Sequence, residues 1–234
     1  MDPADVHSAA TGSRRTLYGR SRGKTLRAYH SRLIDSRLPQ LEIPAIAPLT
    51  VQALFEFSPD EIWLEIGFGG GEHLLAQASR NSRVGLLGCE PFINGVAKLV
   101  AGIEARQINN IRIRAADAQG LLEQLPNAAL SKVFILYPDP WPKRRQRKRR
   151  LISPPVLGEL ARVAKVGALI LFATDIDDYA GWALNQFLKS PAFSWRAERS
   201  QDWLEPWPDW SATRYETKAL REGRIPVYLT FERL

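Results

Sequence analysis

The stretch IWLEIGFGGGEHLL, residues 62–75, decides the fold. It opens with a run of branched and aromatic side chains that hardly alternates with polar ones, the pattern of a strand covered on both faces. Four glycines follow, at 67, 69, 70 and 71, and then the helix-length segment EHLLAQASRN. Glycine lets the backbone turn sharply and approach a ligand closely. The helix behind it offers unsatisfied N–H groups and a positive dipole end. A dinucleotide fingerprint read from Gly67 would end at Glu72, whose charge repels a pyrophosphate. The loop instead suits a smaller ligand carrying a carboxylate and an amine, although a purely structural turn can have the same composition.

Four more strand-like runs follow: VGLLGCE (84–90), IRIRAAD (111–117), KVFILYP (132–138) and VGALILFATD (166–175). Helix-length segments separate and follow them: FINGVAKLVAGIEARQ, AQGLLEQLP, SPPVLGELARVAK and DDYAGWALNQFLKS. The third of these carries Ser153 as N-cap and Pro154 at the first helical position. FSWRAER and the terminal IPVYLTFERL add two strand-like runs. This order predicts an α/β chain: a Rossmann-like, doubly wound, mostly parallel seven-stranded sheet with helices on both faces.

In such a sheet, ligands bind at the carboxyl ends of the strands. Three acids stand there. Glu90 lies about 20 residues past the glycines, where an acid accepts from both ribose hydroxyls. Asp117 ends the third run, in reach of an adenine amino group, and Glu65 ends the first, near a ligand amine. Each alone could be a solvated strand-end charge. Together with the glycine loop they describe a nucleoside joined to a zwitterionic amino acid, S-adenosylmethionine.

Lys and Arg number 32 against 25 Asp and Glu. The octet KRRQRKRR, Lys143 to Arg150, holds seven of the basic residues, and without it the two signs would balance. Such a block repels itself and marks a loop that meets a polyanion. One cysteine, Cys89, allows no internal disulfide, as expected of a reducing, cytoplasmic compartment. The first residues lack the apolar run of a secretion signal, and no apolar run approaches the ~20 residues that span a bilayer. No His or Cys cluster points to a metal. Residues 1–40 read as a flexible basic arm carrying Arg14, Arg15, Arg20, Arg22, Lys24, Arg27, Arg32 and Arg37. That arm is either a solubilising tail or an RNA contact. Residues 41–234 form the domain.

The fourth strand run leads into YPDPWPKRRQRKRR, residues 137–150. Pro138, Pro140 and Pro142 stiffen this loop. Asp139 faces the same crevice as the other acids, directly before the basic octet. Trp141 offers a flat face to a base or a packing surface. A polyanion grip joined to a methyl-donor crevice implies nucleic-acid methylation. Together with EIGFGGGE, FATDIDDYAGWAL and TRYETKALREGR, this segment resembles the bacterial tRNA (guanine-N7)-methyltransferases over most of residues 60–234. The glycine loop departs from many methyltransferases in carrying Phe68 and Gly70.

The resemblance implies a class I methyltransferase fold and transfer from S-adenosylmethionine, without a metal, to N7 of a variable-loop guanine in tRNA. It implies donor contacts at Glu65, Glu90, Asp117 and Asp139, beside Gly67 and Gly69 of the loop, with Asp139 as the catalytic position. Substrate contacts are implied at Lys143, Asp175, Thr213, Arg214, Tyr215 and Glu216, and RNA contacts at Arg145, Arg147, Lys148, Arg149 and Arg150. The partner is tRNA, with the enzyme a monomer or homodimer and no membrane. Asp139, Asp175 and Glu216 are candidates to accept from guanine N1–H and the 2-amino group. Asp175 could instead cap the helix after it. Trp203, Trp207 and Trp210 read as anchors of a long loop, and His73 as ordinary core or surface. Rival readings are an amino-group methyltransferase, whose Asp/Asn-Pro-Pro-aromatic loop differs from Asp139-Pro140-Trp141-Pro142, and a non-catalytic RNA-binding protein on the same fold. A nicotinamide oxidoreductase is disfavoured by Glu72.

Overall fold

The computed structural model describes residues 21, 23–45 and 49–234. Arg14, Arg15, Arg20 and Arg22 of the expected arm lie outside the described residues. Two short helices come first, α1 (Ala28–Ser36) and α2 (Leu38–Leu41), then a 3-10 turn at Val51–Leu54. The alternating body follows: β1 (Glu61–Ile66), α3 (Glu72–Arg80), β2 (Val84–Cys89), α4 (Ile93–Arg106), β3 (Ile111–Arg114), α5 (Ala118–Gln124) and β4 (Leu130–Leu136). After a second 3-10 turn at Arg144–Arg149 come α6 (Pro154–Val163), β5 (Ala164–Thr174) and α7 (Asp177–Leu188). The chain ends with β6 (Phe193–Trp195), α8 (Gln201–Leu204), α9 (Arg214–Arg221) and β7 (Val227–Arg233).

The seven strands form one sheet in the order β3-β2-β1-β4-β5-β7-β6. β1 to β5 are parallel, while β7 runs antiparallel between β5 and β6. Strand side chains alternate between two cores. Leu64, Ile66, Val133, Ile135 and Phe172 pack with Leu121, Leu157, Leu160 and Tyr179 of α5, α6 and α7. On the other face Trp63, Leu86, Phe134 and Leu171 pack with Leu74, Val96, Leu99 and Ile103 of α3 and α4. The near-continuous apolar runs of the sequence are the consequence of this two-sided burial. Pro154 opens α6 after Ser153, as its position implied, although the Ser153 side chain does not cap. The sheet winds outward from β1 in both directions, through β2 to β3 and through β4 to β5. Between β1 and β4 lies the switch point.

The expected arm is structured from Ala28 onward. Leu38 and Leu41 are buried in the α3/α4 core, Arg37 pairs with Glu104 at 3.3 Å, and Ile43 N–H donates to Ile113 at the β3 edge. Leu33, Ile34, Leu38 and Leu41 give a sparse helical apolar stripe that the surrounding basic residues obscure.

The glycine loop meets the first turn of α4 at van der Waals limit. A Cβ on Gly95 would stand 2.1 Å from the backbone oxygen of Gly69. Gly95→Ala should therefore cost about 1–3 kcal/mol, the scale of overpacking, since backbone cannot rotate away as a side chain does. Gly181→Ala in α7 meets nothing within 4 Å and should stabilise by about 0.4–1 kcal/mol. Denaturant midpoints at unchanged m-value check both. Equal midpoints would contradict the close approach.

Candidate active site

A cavity of about 750 Å³ opens at the switch point. Its walls are the glycine loop (Gly67, Gly69), the end of β2 (Cys89, Glu90), the start of α4 (Phe92, Gly95, Lys98) and the start of α5 (Asp117, Ala118, Gln119, Leu122). Tyr137, Pro138, Asp139 and Trp141 after β4 complete it, with Arg149, Leu151 and, from α9, Arg214 and Tyr215. Gly67 and Gly69 hold φ of +76° and +56°, the left-handed region that other residues occupy at a cost. A Cβ on Gly67 would meet nothing within 4 Å, so the cradle is open above it.

Glu90 is 8% exposed. Its two oxygens accept from the backbone N–H groups of Gly69 (2.8 Å) and Phe92 (2.9 Å). Each carboxylate oxygen retains a second lone pair for a ligand hydroxyl. Burial raises its pKa against these bonds. Asp117 caps α5, its Oδ1 accepting from Gln119 N–H at 3.1 Å, which leaves Oδ2 as an acceptor. Asp139 stands at the solvent-accessible rim. The surrounding walls still exclude enough water to raise its carboxyl above the ordinary range. Among the described residues none of these three carboxylates is ion-paired with Lys or Arg.

Glu65 is placed differently from expectation. It shares the face of Trp63 rather than that of Ile66, is 3% exposed, and meets His73 Nδ1 at 2.7 Å. His73 in turn contacts Gln77 at 3.2 Å and packs on Phe134 and Trp210. Glu65 is thus absent from the cavity lining: strand parity sends its carboxylate to α3. His73 is core. Glu72 is ion-paired with Arg214, whose Nε lies 2.7 Å away, so its charge is compensated and the electrostatic objection to a phosphate there loses force.

The TRYE segment, residues 213–216, also divides. Thr213 Oγ caps α9 by accepting from Glu216 N–H at 3.1 Å. Arg214 and Tyr215 face the cavity, Tyr215 with its ring over Gly69 and its hydroxyl pKa raised by burial. Glu216 is 3% exposed and turned inward, accepting from Trp210 Nε1 at 2.7 Å and from the Tyr228 hydroxyl. It does not line the cavity in this arrangement. Asp175 pairs with Arg224 at 2.5 Å and caps nothing, since Ile176 is the N-cap of α7. Trp203 packs on Trp195, and Trp207 Nε1 donates to Thr230, so the tryptophans are anchors.

The basic octet is a 3-10 turn rather than an open loop. Lys143, Arg144, Arg145 and Lys148 are exposed. Arg147 pairs with Asp178 at 2.7 Å, and Arg149 lies 5.0 Å over the Trp141 ring. Arg150 departs from expectation: it is 1% exposed, ion-paired with Asp178 and stacked near Tyr179 and Trp182. It is withdrawn from any RNA surface. Asp178, Tyr179 and Trp182 escaped the sequence reading, and their i, i+1, i+4 spacing on α7 was the available signal.

These two kinds of carboxylate should separate in stability. Asp139 binds its proton more tightly folded than unfolded. Ionising it therefore costs the folded state progressively as pH rises from the unfolded pKa through the raised one, and fully at neutral pH. Asp139→Asn should leave the thermal midpoint at neutral pH unchanged or higher. Glu216→Ala strands the Trp210 and Tyr228 donors and should cost about 1–3 kcal/mol. Calorimetric melts of both variants decide, and a large loss in Asp139→Asn would assign that carboxylate to the scaffold.

A family model described as "Putative methyltransferase" matches residues 59–228. The tRNA (guanine-N(7)-)-methyltransferase of Ruegeria sp. (strain TM1040) is 47% identical over 240 residues, covering 99% of this chain and 92% of its own length. That of Roseobacter denitrificans is 47% identical, covering 97% and 99%. Among solved structures, the 16S rRNA methyltransferase KamB aligns at TM-score 0.55 and 17% identity over 78% of this chain and 90% of that one. TrmN from Thermus thermophilus aligns at 0.53 and 17% over 85% and 52%. These two are similar in fold alone. Identity near one half over nearly the full length of both chains places this protein in the tRNA (guanine-N7)-methyltransferase family.

Proposed function

We propose that this chain transfers the methyl group of S-adenosylmethionine to N7 of a guanine in tRNA, in the variable loop, giving 7-methylguanosine. One observation carries the reading. Glu90, Asp117 and Asp139 line one cavity at the strand ends, and exposed cations of the 143–149 turn begin four residues past Asp139.

The cavity residues fit the donor. The open glycine cradle suits its amino-acid end, Glu90 its ribose hydroxyls, and Asp117 the adenine amino group. Phe92, Ala118 and Leu122 supply apolar wall for the purine. When bound, the donor supplies an electrophilic methyl on a cationic sulfur. Guanine N7 has an in-plane lone pair and no proton, so no general base is needed. What the protein contributes is placement, which can be worth ~7–11 kcal/mol, and negative charge beside a cation that moves from sulfur to purine. Of the three carboxylates considered for the guanine edge, Asp139 is the one that faces the open cavity, because Asp175 and Glu216 are engaged internally. Lys143, Arg145 and Lys148 stand exposed for the phosphate backbone. No helix among the described residues is long and apolar enough to cross a membrane, and a tRNA substrate puts the work in the cytoplasm.

Asp139→Ala should lower the single-turnover rate by ~10²-fold, the scale of small misplacements of reacting groups, with Asp139→Asn between. Both Asp139 and Glu90 are raised in pKa by burial. Their ionised forms are therefore lost, as pH falls, sooner than ordinary carboxylates near 4. Wild-type rate and donor affinity should decline in the weakly acidic range and be flat around neutrality. Stopped-time assays with saturating unmodified tRNA and nucleoside digestion measure this. A rate that climbs tenfold per pH unit near neutrality, and is flat in Asp139→Asn, would show base catalysis and overturn the mechanism.

The grip is tested separately. Replacing Arg145 and Lys148 by Ser removes two candidate phosphate contacts, and the log–log salt slope of tRNA binding should become shallower by roughly 1.4–1.8. Affinity for S-adenosylhomocysteine should not change. An identical slope would mean that these side chains do not meet RNA.

A further inference from the structure

The loop bearing Asp139 has little means of holding itself. Prolines at 138, 140 and 142 remove three N–H donors, so residues 138–142 cannot join a ladder, and their path must be set by contacts from elsewhere. Arg150 supplies one. Its Nε donates to the Pro140 carbonyl at 2.8 Å, one residue past Asp139. The same guanidinium pairs with the Asp178 carboxylate and donates to the Asp178 carbonyl at 3.3 Å. The rings of Tyr179 and Trp182 stand 4.9 and 5.3 Å from its centre. The chain leaving Arg150 is pinned to the same helix: Leu151 N–H donates to the Tyr179 hydroxyl at 3.1 Å, and Trp182 Nε1 donates to the Ile152 carbonyl at 2.8 Å.

We propose that Arg150 is a positioning residue for Asp139: its buried guanidinium bridges α7 and the Pro140 carbonyl and so fixes the loop that presents the Asp139 carboxylate to the cavity. The inference rests on Asp139 acting in methyl transfer, as argued above. Burial rules out a phosphate contact for this arginine, in contrast to its exposed neighbours. The guanidinium meets its three acceptors from three separate nitrogens held in one plane, whereas a lysine ammonium carries all its donors on a single atom. Arg147 of the basic turn pairs with the same Asp178, so one residue of α7 anchors the turn directly and the reactive loop through Arg150.

The experiment compares wild type, Arg150→Lys, Arg150→Ala and Asp178→Asn. It measures single-turnover methylation per correctly folded molecule, counted by S-adenosylhomocysteine titration, together with tRNA and donor-product affinities. Arg150→Lys should lose roughly 10- to 100-fold in rate, with both affinities within about threefold of wild type. Asp178→Asn should show a smaller loss of the same kind, and it carries the test if the lysine variant does not fold. Guanidinium ion should restore part of the Arg150→Ala rate, relative to sodium chloride at equal ionic strength. A purely structural role would lower the melting temperature and the folded fraction but leave the rate per folded molecule unchanged, which would overturn the proposal. So would a loss confined to tRNA affinity, or a folded Arg150→Ala that guanidinium does not rescue. Wild type that yields no 7-methylguanosine would fell the functional reading and this inference together. Active wild type with unimpaired variants would fell this inference alone.

Discussion

A sheet wound outward in two directions cannot be covered at the point where the winding reverses. The connections that leave β1 and β4 depart toward opposite faces, and the carboxyl ends of those strands stay open between them. Everything the site contains follows from that gap. Glu90 and Asp117 sit just past the ends of β2 and β3 because those strands are β1's successive neighbours on one side. Asp139 stands past β4 because β4 is the neighbour on the other. The three carboxylates come from separate segments, and only the strand order brings them to one cavity.

The gap is narrow because the glycine loop permits it. Gly95 in α4 approaches the Gly69 carbonyl so closely that no Cβ fits between them, and the Gly69 N–H reaches Glu90. The loop across the gap is held under strain. Tyr137 and Trp141, which flank Asp139 by two residues on each side, both adopt positive φ, +51° and +43°. For bulky residues this costs of order 1–3 kcal/mol each. Such conformations persist only where surrounding contacts over-determine them. Here the buried side of Tyr137 and the Arg149 guanidinium over Trp141 are among those contacts.

The strands and helices of the body were legible in the sequence because burial on both faces leaves an unmistakable apolar run. β1 to β5 and α3 to α7 lie within a few residues of their expected bounds. The seven-stranded, mostly parallel sheet and the methyltransferase family were legible for the same reason, helped by the PDPWPK segment. What could not be read was the partner of each charge. The motif positions of Glu65, Asp175, Glu216 and Arg150 imply ligand contacts. Each of these residues instead has a partner inside the protein, near in sequence for Glu65 (His73) and Glu216 (Trp210 and Tyr228), far for Asp175 (Arg224) and Arg150 (Asp178). A sequence displays the charge but not the group that the fold brings against it. The helical part of the basic arm is hard to read because two buried leucines among arginines make a weak pattern, and α9 shows only as a motif because its face toward the core is short.

Cys89 completes the account of the donor cavity. A sulfonium methyl is open to any good nucleophile, and a thiolate is a better one than guanine N7. Cys89 lies in the cavity lining, at the end of β2. Burial pushes its pKa up to about 12, with the neighbouring carboxylates Glu90, Asp117 and Glu65 adding to the shift. At neutral pH the group is therefore a neutral thiol of low nucleophilicity. Dehydration of the thiol is the larger cause of its staying protonated, and the negative charge of the nearby acids reinforces it.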